Sequence, residues 1–239
     1  MQATRKTILF LSIYLLTGWS VPPPRIFVIG DSISIQYGPH LEKYLQGNAL
    51  YERKQDDGTA KNNLDYPTGA NGGDSGMVLK YLIHKLNKPG FKPDYLLLNC
   101  GLHDIKRNTT THEIQVTEEE YRKNLETTFK LLKKKNIRLI WMRTTPVVDS
   151  IHNAKSRSFH RFAADVETYN LIADEICRKH NVPLIDLFSF SKQLGEDQFI
   201  DHVHYNETAR TLQAAFIAGA VQTIINTESK SKEKYNPRK

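Results

Sequence analysis

The stretch Arg25-Ile26-Phe27-Val28-Ile29-Gly30-Asp31-Ser32-Ile33-Ser34 decides how the chain is read. Four apolar residues, 26–29, stop abruptly at Gly30. A run so short and so rich in β-branched side chains predicts a buried strand. Glycine then allows a sharp turn, and Ser32 sits at the strand's carboxyl end. In open α/β sheets that edge is where ligands bind, which makes Ser32 a candidate nucleophile. Alone, Gly30-Asp31-Ser32 is weak evidence, because Asp-Ser is ordinary turn chemistry. It gains weight from Asp201-His202-Val203-His204, far downstream.

Outward from this stretch, apolar runs at 95–98, 137–142 and 182–187 predict further strands, and a poorer one is expected inside the polar loop 51–66. Between them lie helical patterns. A short helix is expected over 39–45. Asp74-Ser75 caps another over 77–86, with Met77, Leu79, Leu82, Ile83 and Leu86 as its apolar stripe. Thr117 followed by Glu120 is a capping-box signature and opens a helix through Leu125, Phe129 and Leu132 to Lys135. Helices over 161–180 and 206–225 complete the set, and 146–159 reads as irregular. Strands alternating with helices at this spacing predict an α/β fold. The expected architecture is a doubly wound, flavodoxin-like parallel sheet of about five strands with helices on both faces. Its expected core is Ile26, Val28, Leu96, Leu98, Leu139, Ile140, Leu184 and Ile185.

The 239 residues suffice for one well-buried domain, and 39% hydrophobic with 25% charged residues is ordinary globular composition. Arg5 and Lys6 precede an apolar run, 8–16, then Gly18, Ser20 and three prolines. That order predicts a secretory signal peptide over 1–20, whose apolar run is too short for a comfortable membrane span. The domain is expected over 21–228, followed by a basic, disordered tail over 229–239. Residues 16–20 also look like a lipoprotein box, but Trp19 stands where the lipidated cysteine is required. Net charge is +7, and loss of the leader would leave +5. Much of the surplus lies in Lys133-Lys134-Lys135 and in the tail. The lysine run complements a helix dipole, and no nucleic-acid motif accompanies the charge. Cys100 and Cys177 read as buried free thiols. No Cys-x-x-Cys pair is present to build a structural zinc site.

Four segments lie on one edge of such a sheet: Gly30-Asp31-Ser32, Asn71-Gly72-Gly73-Asp74, Gly101-Leu102-His103-Asp104 and Asp201-His202-Val203-His204. With these in their order, the chain resembles the SGNH/GDSL hydrolase family over about residues 25–225. The Gly-x-Ser-x-Gly elbow of α/β-hydrolases is absent. The resemblance implies a Ser32–His204–Asp201 triad. His204 would activate the serine hydroxyl, and Asp201 would hold the imidazole tautomer. His202 competes for the base role, but the spacing from Asp201 favours His204. The resemblance also implies an oxyanion hole from the Ser32 amide, the Gly73 amide and a third-block side chain. There the chain departs from the family: His103 replaces the expected asparagine. A neutral imidazole can still donate one N–H, and Asp104 could orient it or cap the next segment.

Arg143 and Thr144, with Thr145, end the fourth strand on the same edge and are substrate-binding candidates. Arg143 could bind an anion or pair with Asp149. Tyr66, Tyr37 and His160 are candidates for a sugar platform. The function so implied is a secreted or periplasmic serine esterase that removes acyl groups, acetyl foremost, from polysaccharide. No cofactor, metal, nucleic acid or lasting membrane insertion is implied. Alternatives are a lipid-directed esterase or thioesterase, a metal-dependent hydrolase using His103, Asp104, Asp201, His202 and His204, and a non-catalytic glycan-binding module.

Overall fold

Five parallel strands run in the order β2-β1-β3-β4-β5: β1 Arg25–Ile29, β2 Leu50–Arg53, β3 Tyr95–Leu98, β4 Arg138–Met142 and β5 Leu184–Ile185. This is the flavodoxin-like order, as expected from the sequence. The computed structural model describes residues 22–54 and 58–235, so the expected leader over 1–20 lies outside the described residues. β1, β3 and β4 are buried almost throughout, which is why they read as continuous apolar runs rather than alternating ones. Trp141 in β4 is fully buried and packs 5.8 Å from Phe129.

The helices are α1 Ser32–Leu45, α2 Thr59–Asn62, α3 Ser75–Lys85, α4 Glu118–Lys134, α5 Asp149–Lys155, α6 Ala163–His180, α7 Leu187–Gln193 and α8 Glu207–Tyr235. They pack in two groups, α1 with α8 and α7 with α8, and α3 with α4 and α4 with α6. The chain changes direction across the sheet between β1 and β3, at the topological switch point where such folds bind ligands.

Several local expectations need correcting. α1 begins at Ser32 itself and carries Pro39 inside, whereas the sequence pattern started the helix at residue 39. The Asp31 side chain caps it by accepting the Ile33 N–H. α3 buries Ser75, Val78 and Leu82, at successive three- and four-residue steps. Met77 and Ile83, assigned to that stripe, are exposed. The stretch 146–159 holds α5 rather than being wholly irregular. The final strand shrinks to two residues, because Asp186 accepts the Ser189 N–H and starts α7. α8 runs past residue 228 to Tyr235, where a disordered tail is expected. The capping box is formed as read, with Thr117 and Glu120 each accepting from the other's backbone. Cys100 and Cys177 are buried free thiols, and burial pushes the Cys177 thiol up to about 12. No described helix is long and apolar enough to cross a membrane.

Candidate active site

The site is built where β1 and β3 end. Ser32 is the first residue of α1, and the amides of a helix's first turn have no acceptor within the helix. Its N–H is therefore available to a ligand, and the helix dipole favours negative charge there. The Asp31 carboxylate beside it is buried, and that burial raises its pKa despite the Ile33 N–H and the nearby His204. Gly30 does not take a left-handed conformation, contrary to the sharp turn expected of it. What requires glycine is space, since a Cβ would lie 2.7 Å from Ser34 Cβ and Oγ.

His204 reaches Ser32 from the loop before α8. Its Nε2 lies 2.7 Å from Ser32 Oγ, and its Nδ1 lies 2.7 Å from Asp201 Oδ2. Asp201 is itself held, because Oδ1 accepts the Val203 and His204 N–H groups at 2.8 Å each. Burial pushes the Asp201 pKa up, but the His204 bond and charge and those two amides outweigh it, leaving the carboxyl well below its usual range. A hydroxyl, an imidazole and a carboxylate thus form one hydrogen-bonded line. The order assigns Nδ1 as the donor to Asp201 and Nε2 as the acceptor facing Ser32. His202 does not compete. Its Nε2 faces Asp65 Oδ2 at 3.5 Å, with its ring 6.2 Å from that of His204.

The second segment places Gly73 at φ +73°, a left-handed conformation suited to glycine. A Cβ there would also press on Met77 and Pro67. The Gly73 N–H donates to Asn71 Oδ1 at 3.0 Å, a bond that an oxyanion would have to share or displace. The Gly72 N–H is taken by Gly30 O at 2.8 Å. In the third segment Gly101 has φ +153°, and a Cβ would lie 2.3 Å from Thr144 Oγ1. His103 follows and is buried. Desolvation, then the Lys106 and Arg161 charges, holds it well below the usual imidazole range, so its ring is neutral. Asp104 neither orients the ring nor caps the segment that follows it; its Oδ1 reaches back to accept the Ser75 N–H at 2.8 Å, at the start of the preceding helix α3. Burial pushes its carboxyl up to about 7.

The sequence reading missed Arg161, which is 2% exposed. Its Nε donates to Leu102 O at 2.7 Å, fixing the peptide just before His103. Its Nη1 lies 3.7 Å from Asp65 Oδ1, and burial lowers its pKa to about 10. Asp65 therefore sits between Arg161 and His202. Burial raises its pKa, but His202 and Arg161 bring the carboxyl below its usual range. No local signal marks this link, because residues 65, 161 and 202 are remote in sequence.

Two substrate candidates turn away from the site. Arg143 lies against Asp174 of α6 at 3.4 Å and Asp186 at 3.1 Å, not against Asp149 or open space. Asp149 instead accepts the Ala163 N–H. Thr144 is buried, donating to Cys100 O at 3.1 Å, with its N–H donating to Asn170 Oδ1. Tyr37 is a core residue whose hydroxyl faces Met142 Sδ at 3.6 Å. His160 pairs through its backbone with Arg107. Tyr66 alone is well exposed, at 64%. Among the described residues no three His, Cys, Asp or Glu side chains are disposed to hold a metal ion. In the grouping of His103, Asp104, Asp201, His202 and His204, Asp104 is turned to α3 and both His204 nitrogens are engaged.

The fold is shared with solved hydrolases. A lipase/acylhydrolase from Enterococcus faecalis superposes with a TM-score of 0.63 at 20% identity, covering 84% of this chain and 96% of that one. The acetyl xylan esterase AlAXEase gives 0.61 at 15% identity, covering 82% and 99%. The psychrotrophic esterase EstA from Pseudoalteromonas sp., in a structure inhibited by monoethylphosphonate, gives 0.58 at 17% identity, covering 85% and 99%. No curated protein sequence matches the chain. Residues 28–211 match the model of the GDSL-like Lipase/Acylhydrolase family. That span takes in the Ser32 turn, the glycine and histidine loops and the Asp201–His204 loop, so the chain belongs to the GDSL-like lipase/acylhydrolase family and is a carboxylic ester hydrolase.

Proposed function

We propose that the protein is an exported serine esterase that removes acetyl groups from polysaccharide, with Ser32, His204 and Asp201 as its triad. The observation that carries this reading is the pair of 2.7 Å contacts joining Ser32 Oγ to His204 and His204 to Asp201. His204 Nε2 takes the Ser32 hydroxyl proton as Oγ attacks the ester carbonyl, forming a tetrahedral oxyanion. The intermediate collapses, the sugar oxygen leaves with the proton held by His204, and the acetyl group stays on Ser32. Water, deprotonated by His204, then attacks that ester, and acetate departs as Ser32 recovers its proton. Asp201 orients the ring and stabilises the imidazolium throughout.

The Ser32 N–H and the neutral His103 ring are the proposed oxyanion donors. The Gly73 N–H joins them by loosening its bond to Asn71. Arg161 supports His103 by holding Leu102 O. The carbohydrate preference draws on the acetyl xylan esterase among the structural neighbours. It also draws on the leader-like segment 1–20, whose basic, apolar and small-residue order supports export. An ester screen tests the reading. Wild type should release acetate from acetylated xylan or pectin and prefer these to long-chain p-nitrophenyl esters, with all hydrolysis lost in Ser32→Ala. Hydrolysis surviving in Ser32→Ala would contradict the triad, and a long-chain preference would contradict the carbohydrate assignment.

A further inference from the structure

A cavity of about 600 Å³ has Asp65, Tyr66, Pro67, Lys106, Gln115 and Phe159 among its walls. Three of these walls border the site. Pro67 lies 3.0 Å from the position a Cβ on Gly73 would occupy. Lys106 follows His103 by three residues on the same loop. Asp65 faces His202, whose ring neighbours that of His204. The walls of the cavity therefore meet the glycine loop through Pro67, the His103 loop through Lys106 and the His204 loop through Asp65.

The volume and lining decide what fits. An acetyl group is far too small to require it, since cavities of roughly 300–1,000 Å³ suit drug-sized ligands. A long acyl tail suits it poorly, because Asp65, Lys106, Arg107, Glu113 and Gln115 would lose water to methylenes without gaining hydrogen bonds. A hydroxylated ring suits it on both counts. Tyr66 offers an exposed aromatic face with no burial in the core to explain it. Lys106 Nζ sits 4.3 Å from the Phe159 ring centroid and donates to Asp65 O at 3.0 Å. An ammonium has three donors, so the lysine is held in place with hydrogen-bonding capacity to spare.

We propose that this cavity is the subsite for a sugar ring of the ester's alcohol half, with Tyr66 as its stacking face and Lys106 as a hydroxyl donor. The proposal rests on the polysaccharide-esterase reading. The substrate's acetylated oxygen then points to Ser32 while the ring lies over the Tyr66 loop.

The test compares kcat/KM on acetylated xylo-oligosaccharide with kcat/KM on p-nitrophenyl acetate, in wild type, Tyr66→Ala and Lys106→Gln. The oligosaccharide-to-small-ester ratio should fall tenfold or more in Tyr66→Ala, carried by KM, and by a smaller factor in Lys106→Gln. A ratio within twofold of wild type in both variants overturns the subsite while leaving the esterase standing. If wild type cleaves only the small ester, the polysaccharide reading fails, and titration by NMR decides the cavity. Unacetylated xylo-oligosaccharide is then added to Ser32→Ala protein with and without Tyr66→Ala. A Kd weakened tenfold by the second change upholds the subsite, and absence of binding overturns it.

Discussion

Asp201→Asn turns the geometry of the proposed triad into a number. In the native loop Asp201 Oδ1 accepts two backbone N–H groups at 2.8 Å, and Oδ2 faces His204 Nδ1 at 2.7 Å. Asparagine has one oxygen to offer. Turning its NH2 toward Val203 and His204 would set donors against donors, forfeiting two hydrogen bonds at about 1 kcal/mol or more each. The amide oxygen therefore stays with the backbone, and the NH2 faces Nδ1. His204 must then accept at Nδ1 and carry its proton on Nε2, pointing at Ser32 Oγ 2.7 Å away. In that tautomer the ring cannot take the serine proton. Loss of the correct tautomer costs on the order of 10⁴ in kcat, about 5.4 kcal/mol at 1.36 kcal/mol per tenfold. Steady-state hydrolysis of p-nitrophenyl acetate measures it, with KM expected within a few-fold of wild type and a thermal melt confirming the fold. A folded Asp201→Asn enzyme with kcat within tenfold of wild type would refute the reasoning.

Two further outcomes follow from the same site. His103→Ala should lower kcat on the order of 10²–10³, the usual effect of removing one oxyanion donor. His103→Asn should retain more activity, and an unchanged kcat in the alanine variant would remove His103 from the oxyanion hole. Asp104→Asn tests the buried carboxyl. A folded-state value pushed from 3.8 to about 7 means that the native protein holds the proton below about pH 7. The resulting stabilisation is full below pH 3.8 and is lost as pH rises through about 7. Asparagine keeps the acceptor for the Ser75 N–H and has no proton to lose. Urea unfolding should show wild type losing about 4 kcal/mol relative to Asp104→Asn between pH 4 and 8, and a difference that does not change with pH would contradict the burial argument.

Much of the fold is legible in particular residues. The runs 26–29 and 95–98 and the Thr117–Glu120 box carry local signals strong enough to survive tertiary context. The pairing of Asp201 with His204, implied by the family resemblance, needs only a three-residue spacing, because one turn presents both side chains. What escaped the sequence has physical causes. Pro39 and the small polar residues Ser32 and Ser34 hid the first turn of α1, although Asp31 is a readable N-cap. Asp186 cut the last strand short by starting α7, and its own capping pattern, Asp186 followed by Ser189, was there to be read. Arg143 follows β4 on the expected edge, but its guanidinium is drawn sideways by Asp174 and Asp186. The Arg161–Asp65–His202 group has no sequence signature, since only the folded chain sets its members side by side.

Covalent capture of the nucleophile tests the central claim most directly. The native enzyme is incubated with a fluorophosphonate, and the adduct is read by intact mass and peptide mapping. A single adduct on Ser32 is expected, absent in Ser32→Ala and formed at least a hundredfold more slowly in His204→Ala. Labelling elsewhere, or none in a protein that still hydrolyses esters, would contradict Ser32 as the nucleophile.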